Sequence, residues 1–79
     1  MKTADEMFRE LGYSKISSDD YIPDAIVYAK AFSRLVIQPG LTAKYRLGRR
    51  GAHYIDGIYN EEVLACARLI KEMEADNGT

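Results

Sequence analysis

Apolar residues recur along this chain with two different periods. Ala4, Met7, Phe8 and Leu11 are spaced three and four apart, which predicts one stripe of a short helix over about residues 3–11. Thr3-Ala4-Asp5-Glu6 reads as a capping box, in which the Thr3 hydroxyl accepts from the Glu6 amide and the Glu6 carboxylate reaches back to the Thr3 amide. Asp5 and Glu6 also suit the positive end of the helix dipole. Gly12 offers a left-handed residue just past the helix, and Tyr13 is placed to fold back on Phe8, as a Schellman ending requires. So short a helix does not persist alone in water, so its stripe must dock on something.

Residues 15–24 read as a linker: Ser17-Ser18-Asp19-Asp20 is polar and turn-prone, and Pro23 prevents a continuous central strand. Residues 25–38 are rich in Ile, Val, Tyr and Leu. They read as two strands, about 25–31 and 35–37, joined near Phe32-Ser33. The rival reading is one helix begun at Pro23-Asp24, with Tyr28, Ala29, Phe32, Leu35 and Val36 on one face. Ile26, Val27 and Ile37 fall off that face, and β-branched residues are mediocre helix formers. Pro39-Gly40 ends the element under either reading.

Residues 42–47 alternate, with Ala43, Tyr45 and Leu47 on one side and Thr42, Lys44 and Arg46 on the other, the pattern of a half-solvated strand. Gly48-Arg49-Arg50-Gly51 reads as a hairpin loop with glycines able to take positive φ at both ends. Residues 52–55 return as a strand, closed by Asp56-Gly57. The last helix spans about residues 60–75. Asn60 is its expected N-cap, Glu61 and Glu62 fill the first turn, and Tyr59 with Leu64 forms a staple. Val63, Cys66, Ala67, Ile70 and Met73 form its stripe, flanked by Leu64 and Leu69. Arg68, Lys71, Glu72 and Ala75 face elsewhere, and Asn77-Gly78 stops the helix. The order predicts one α+β domain over residues 1–79: a two-layer sandwich of helix, three- or four-stranded antiparallel meander and helix, both helices on one sheet face.

Composition narrows the function more than the fold. The 79 residues carry one cysteine, Cys66, so no intramolecular disulfide stabilises the chain, which fits a reducing cytoplasm. One cysteine and one histidine do not make a four-ligand zinc site, and no cofactor is expected. The N-terminal residues carry early acids and no apolar run, so they do not read as a signal peptide. No stretch approaches the roughly 18 apolar residues of a membrane span. Net charge is −1 but is segregated: residues 25–59 carry six bases against one acid, whereas residues 1–24 and residues 60–79 are each at −3.

The opening Lys2-Thr3-Ala4-Asp5-Glu6-Met7-Phe8-Arg9-Glu10-Leu11-Gly12-Tyr13 resembles the start of a group of small phage and prophage proteins, which read much like T-A-E-E-M-F-E-E-L-G-Y. Those proteins continue with a strand meander and end in a helix opened by an acidic cap, comparable to Asn60-Glu61-Glu62-Val63-Leu64. The match covers about a dozen residues and the element order. The resemblance implies a phage-derived cytoplasmic accessory protein, and it carries over no catalytic residues.

The candidate contact site is the basic hairpin, with Lys44, Tyr45, Arg46, Arg49, Arg50, His53 and Tyr54 around one loop. Nucleic-acid binding uses such pairing, since cations neutralise phosphates and rings stack on bases, and Arg49 and Arg50 at the loop tip also suit a groove. The plain alternative is a solvated hairpin whose charges discourage edge-to-edge pairing. Gly48-Arg49-Arg50-Gly51 also fits a phosphate-clamping GxxG, but that loop needs helical flanks and these are strands. His53 reads as a surface strand residue and Cys66 as a small buried thiol. The acids Asp19, Asp20 and Asp24 lack the spacing of a calcium loop. Six tyrosines suit an interface, or else close a small core with their hydroxyls in water. The expected function is therefore binding without catalysis. The first reading is a protein-interaction module or homodimer, using sheet tyrosines and the hairpin against an acidic surface. The alternative is nucleic acid held by the basic hairpin, Lys44 to His53.

Overall fold

The Thr3 capping box forms: Thr3 Oγ1 accepts from the Glu6 amide at 3.2 Å, and Glu6 Oε1 accepts from the Thr3 amide at 3.4 Å. These bonds satisfy donors that the first turn of a helix otherwise leaves open. They begin α1 (Ala4–Glu10) in a computed structural model that describes residues 1–16, 25–38 and 40–77. At the other end Gly12 takes φ 92, the Gly12 amide donates to Arg9 O at 3.0 Å, and the Tyr13 amide donates to Phe8 O at 2.9 Å. That is the Schellman pattern, completed by the edge-on contact of the Tyr13 and Phe8 rings at 6.0 Å.

Five strands follow: β1 (Ser14–Ile16), β2 (Ile26–Lys30), β3 (Ser33–Gln38), β4 (Leu41–Leu47) and β5 (His53–Ile55). They form one antiparallel sheet in chain order, and α2 (Asn60–Asn77) closes the fold. The α+β helix–meander–helix architecture is as expected, and residues 25–38 are two strands rather than one helix. The turn between them is Ala31-Phe32, with Ala31 at φ 52. The sheet has five strands rather than three or four because Ser14–Ile16, where the linker was expected to begin, pairs with β2 through Ser14↔Ala29, Lys15↔Tyr28 and Ile16↔Val27. All three residues are exposed, so no burial pattern marks the strand. The remainder of the expected linker, with Asp19, Asp20, Pro23 and Asp24, lies outside the described residues, as do Pro39 and Gly78.

Register assigns the two sheet faces. Ile26 and Tyr28, Leu35 and Ile37, Thr42, Lys44 and Arg46, and Tyr54 lie on one face. The helices dock there, and Ala4, Phe8, Tyr13, Tyr28, Leu35, Ile37, Ala65, Cys66 and Leu69 form the main core. The Phe8 and Tyr28 rings stack at 4.0 Å in its centre. The opposite face has a smaller cluster of Ala25, Val27 and Val36, with Tyr45 against it.

Two expected faces are turned. In β4 it is Lys44 that is buried, while Ala43 is exposed and Tyr45 and Leu47 are half-buried on the other side. In α2 the buried stripe is Glu62, Ala65, Cys66 and Leu69, with Met73 half-buried, and Val63, Leu64, Ala67 and Ile70 face solvent. The first helical bond runs from the Val63 amide to Tyr59 O at 2.9 Å, so Tyr59 rather than Asn60 stands at the cap. Tyr59 and Leu64 are both largely exposed and form no buried staple. The loop after β4 also differs: Gly48 has φ −106, and Arg50 and Gly51 take the positive φ values within a single 3₁₀ turn, Arg49–Gly51. No helix among the described residues is long and apolar enough to cross a membrane.

Candidate functional site

Lys44 is the first residue of the expected hairpin site, and it faces inward. Its Nζ lies 3.0 Å from Glu62 Oε1 and 3.3 Å from Glu62 Oε2, with both residues about 5% exposed. The Tyr13 hydroxyl donates to Glu62 Oε2, and the Tyr59 amide donates to Glu62 Oε1 at 3.0 Å. Lys44 Nζ also stands 4.7 Å from the Tyr59 ring centroid, a cation–π distance. Burial acts to raise the Glu62 carboxyl, but the bonds from Tyr13, Tyr59 and Lys44 outweigh it and hold it below the usual carboxylate range. The Tyr13 hydroxyl is pushed well above the usual tyrosine value, by burial first and by Glu62 second. This knot is closed and fully bonded, and Lys44 has no head group left for a ligand.

The other six hairpin residues divide by face. Tyr45 and His53 are diagonal neighbours on the face away from the helices and stack at 4.8 Å. Arg46 and Tyr54 are register partners on the helix-bearing face, with the guanidinium 5.8 Å from the ring centroid. The Tyr54 ring lies directly over Gly48, so close that a Cβ at Gly48 would overlap it. Arg49 and Arg50 are exposed in the 3₁₀ turn. The tyrosines divide too: Tyr13 and Tyr28 belong to the core, while Tyr54 and Tyr59 are exposed.

Register brings in three residues that lie far from the hairpin in sequence. Ser33 pairs with Arg46, and the Leu47 amide donates to Phe32 O at 2.8 Å. The β2–β3 turn therefore lies at the same end of the sheet as the β4–β5 turn. That end gathers Lys30, Phe32 and Arg34 beside Arg46, Arg49 and Arg50. The ion pairs among the described residues are Lys2–Glu10, Arg9–Asp5, Lys44–Glu62 and Arg68–Glu72, and none of these five end cations takes part in one. A β2–β3 hairpin in the sequence was the signal for this grouping, since a tight turn between adjacent strands must lie level with the far end of the next hairpin.

A second exposed feature is the outward flank of α2, where Val63, Ala67 and Ile70 follow one another at i, i+4 and i+7 with Leu64 beside them. Cys66 is buried, and burial, then the Glu62 charge, pushes its thiol up to about 11. Among the described residues no group of His, Cys, Asp or Glu is placed to hold a metal ion. The chain matches no protein-family model, no curated protein and no solved structure.

Proposed function

We propose that this chain is a small non-enzymatic accessory protein of phage or prophage origin that acts by binding protein, with a second copy of itself as its first partner. The observation that carries this reading is the apolar seam Val63, Ala67 and Ile70, with Leu64 beside it, facing solvent along α2. Contiguous exposed apolar surface on a small protein marks a contact site. A seam that runs along one helix suits a two-fold axis, which lays the same residues of two copies against each other.

The state of the reactive groups among the described residues supports a reading without catalysis. The Cys66 thiol is buried and protonated at neutral pH, and the His53 ring rests on Tyr45. No nucleophile stands with a base to activate it among the described residues. The phage origin rests on the Thr3-to-Tyr13 motif. Thr3 and Glu6 cap α1, and Phe8, Gly12 and Tyr13 end it, so the motif encodes a helix and its stop rather than a site.

The experiment is size exclusion with light scattering over a wide concentration range. A dimer is expected, reverting to monomer in Val63→Lys combined with Ile70→Lys while circular dichroism stays unchanged. A strict monomer at the highest concentration removes the self-association.

A further inference from the structure

The geometry points to a site for single-stranded nucleic acid at the end of the sheet where the β2–β3 and β4–β5 turns meet. Lys30, Arg46, Arg49 and Arg50 are exposed there. Arg34 lies on the other sheet face as the register partner of Tyr45, with its Nη1 donating to Ala31 O at 2.8 Å and Ser33 O at 2.9 Å, so it adds charge at this end of the sheet without sharing the surface of Lys30 and Arg46. Lys2, Arg9, Lys44 and Arg68 each have a carboxylate partner, whereas these five have none among the described residues. Cations left together without acids attract an external polyanion, and releasing its counterions drives the binding.

Exposed rings select the kind of polyanion. Phe32 is 70% exposed at one turn and Tyr54 is 52% exposed beside the other. Two turns about 10 Å apart, two strand spacings, present ring and cation together at each. That pairing suits unstacked bases joined by phosphates, because every base offers a face to an aromatic ring. An acidic protein surface would use the cations and leave Phe32 without a role.

A duplex read by a helix is disfavoured, while the basic β4–β5 ribbon leaves a ribbon-bound duplex as the competing outcome that the binding test decides. Reading a groove calls for a basic helix or ribbon. Here the first turns of both helices are acidic, Asp5 and Glu6 in α1 and Glu61 and Glu62 in α2. This site does not depend on the α2 seam.

The test is fluorescence anisotropy with labelled oligo-dT, oligo-U and a mixed-sequence duplex, each at several salt concentrations. Both single strands are expected to bind more tightly than the duplex, and the tighter of the two identifies DNA or RNA as the natural ligand. Arg49→Gln with Arg50→Gln removes two phosphate contacts and lowers the salt slope by about 1.4. Phe32→Ala weakens binding about tenfold at an unchanged slope. Phe32 and the two arginines are exposed, so these variants keep the fold, which circular dichroism checks. Val63→Lys with Ile70→Lys leaves oligonucleotide binding intact. The site is overturned by no binding of either single strand at low salt or by a duplex bound as tightly. It is overturned equally by polyglutamate bound as well as the oligonucleotides, with Phe32→Ala without effect.

Discussion

Lys44 Nζ and Glu62 Oε1 stand 3.0 Å apart with both side chains sealed from solvent. Each is the reason the other is buried. In β4, pairing with β3 through Leu35↔Lys44 puts the even-numbered side chains on the helix face, and the ammonium is buried there. In α2 the carboxylate draws the Glu62, Ala65, Cys66 and Leu69 face inward. Removing one partner strands the other charge in the interior, so Lys44→Met is expected to lose about 3–5 kcal/mol in urea unfolding. Lys44→Met combined with Glu62→Leu removes both charges and is expected to be more stable than Lys44→Met alone. A double variant as unstable as the sum of the two single changes would show the charges to be independent.

Alkali acts on two other groups. Burial raises the Tyr13 and Tyr28 hydroxyls well above the usual value near 10, and the carboxylates of Glu62 and Asp5 that accept from them raise them further. A group whose value is raised on folding contributes stability that is intact below its unfolded value and is lost above it. Stability is therefore expected to fall as the pH rises past about 10. Absorbance at the tyrosinate band should show at least two of the six tyrosines ionising only as the chain unfolds. Glu62 acts at the other end of the scale. Its lowered value gives stability that is present above about pH 4.3 and lost as the pH drops below it, and Glu62→Gln should flatten that acid limb.

The β4–β5 hairpin depends on the missing side chain of Gly48. Its φ of −106 is open to any residue, so the constraint is space alone. Alanine there must push the Tyr54 ring off its seat and away from Arg46. Because the Tyr54 ring is half exposed and can swing into solvent, Gly48→Ala is expected to lose less than the roughly 1–3 kcal/mol of core overpacking, and to shift the Tyr54 ring resonances in an NMR spectrum. Gly48→Ala combined with Tyr54→Ala should recover part of that loss.

Ala31 is strained in the opposite sense. Its φ of 52 is a region that costs an L-residue roughly 1–2 kcal/mol and glycine almost nothing. Ala31→Gly gives back part of that gain through the greater freedom of the unfolded chain. A net stabilisation of up to about 1 kcal/mol is expected, read as a melting midpoint about 4–8 °C higher.

Much of the fold was legible because its signals are local. The Thr3 box, the Gly12-Tyr13 ending and the Asp-Gly punctuation act within four or five residues, and each fell where expected. What escaped depends on distant partners. Ser14-Lys15-Ile16 becomes a strand only because β2 lies beside it. Lys44 sits among alternating residues that point Ala43, Tyr45 and Leu47 toward a core, and only Glu62, 18 residues away, reverses that choice. The same carboxylate rotates α2 off its most hydrophobic face. Of the expected hairpin site, Arg46, Arg49, Arg50 and Tyr54 lie near one end, Tyr45 and His53 lie on the far face, and Lys44 is enclosed. Lys30, Phe32 and Arg34 were missed because their nearness to the hairpin depends on register.

Every strand of the sheet pairs with its neighbour in the chain, whereas α1 and α2 meet across nearly its whole length, the Ala4 amide donating to Glu72 Oε2 at 2.8 Å. Hairpins between consecutive strands close cheaply in entropy, and a link spanning 68 positions closes dearly. The meander therefore assembles early and the two helices come together late. The clasp between α1 and α2 is therefore expected to be among the last contacts to form, which slower hydrogen-exchange protection of the Ala4 amide than of the β2–β3 amides during refolding would show.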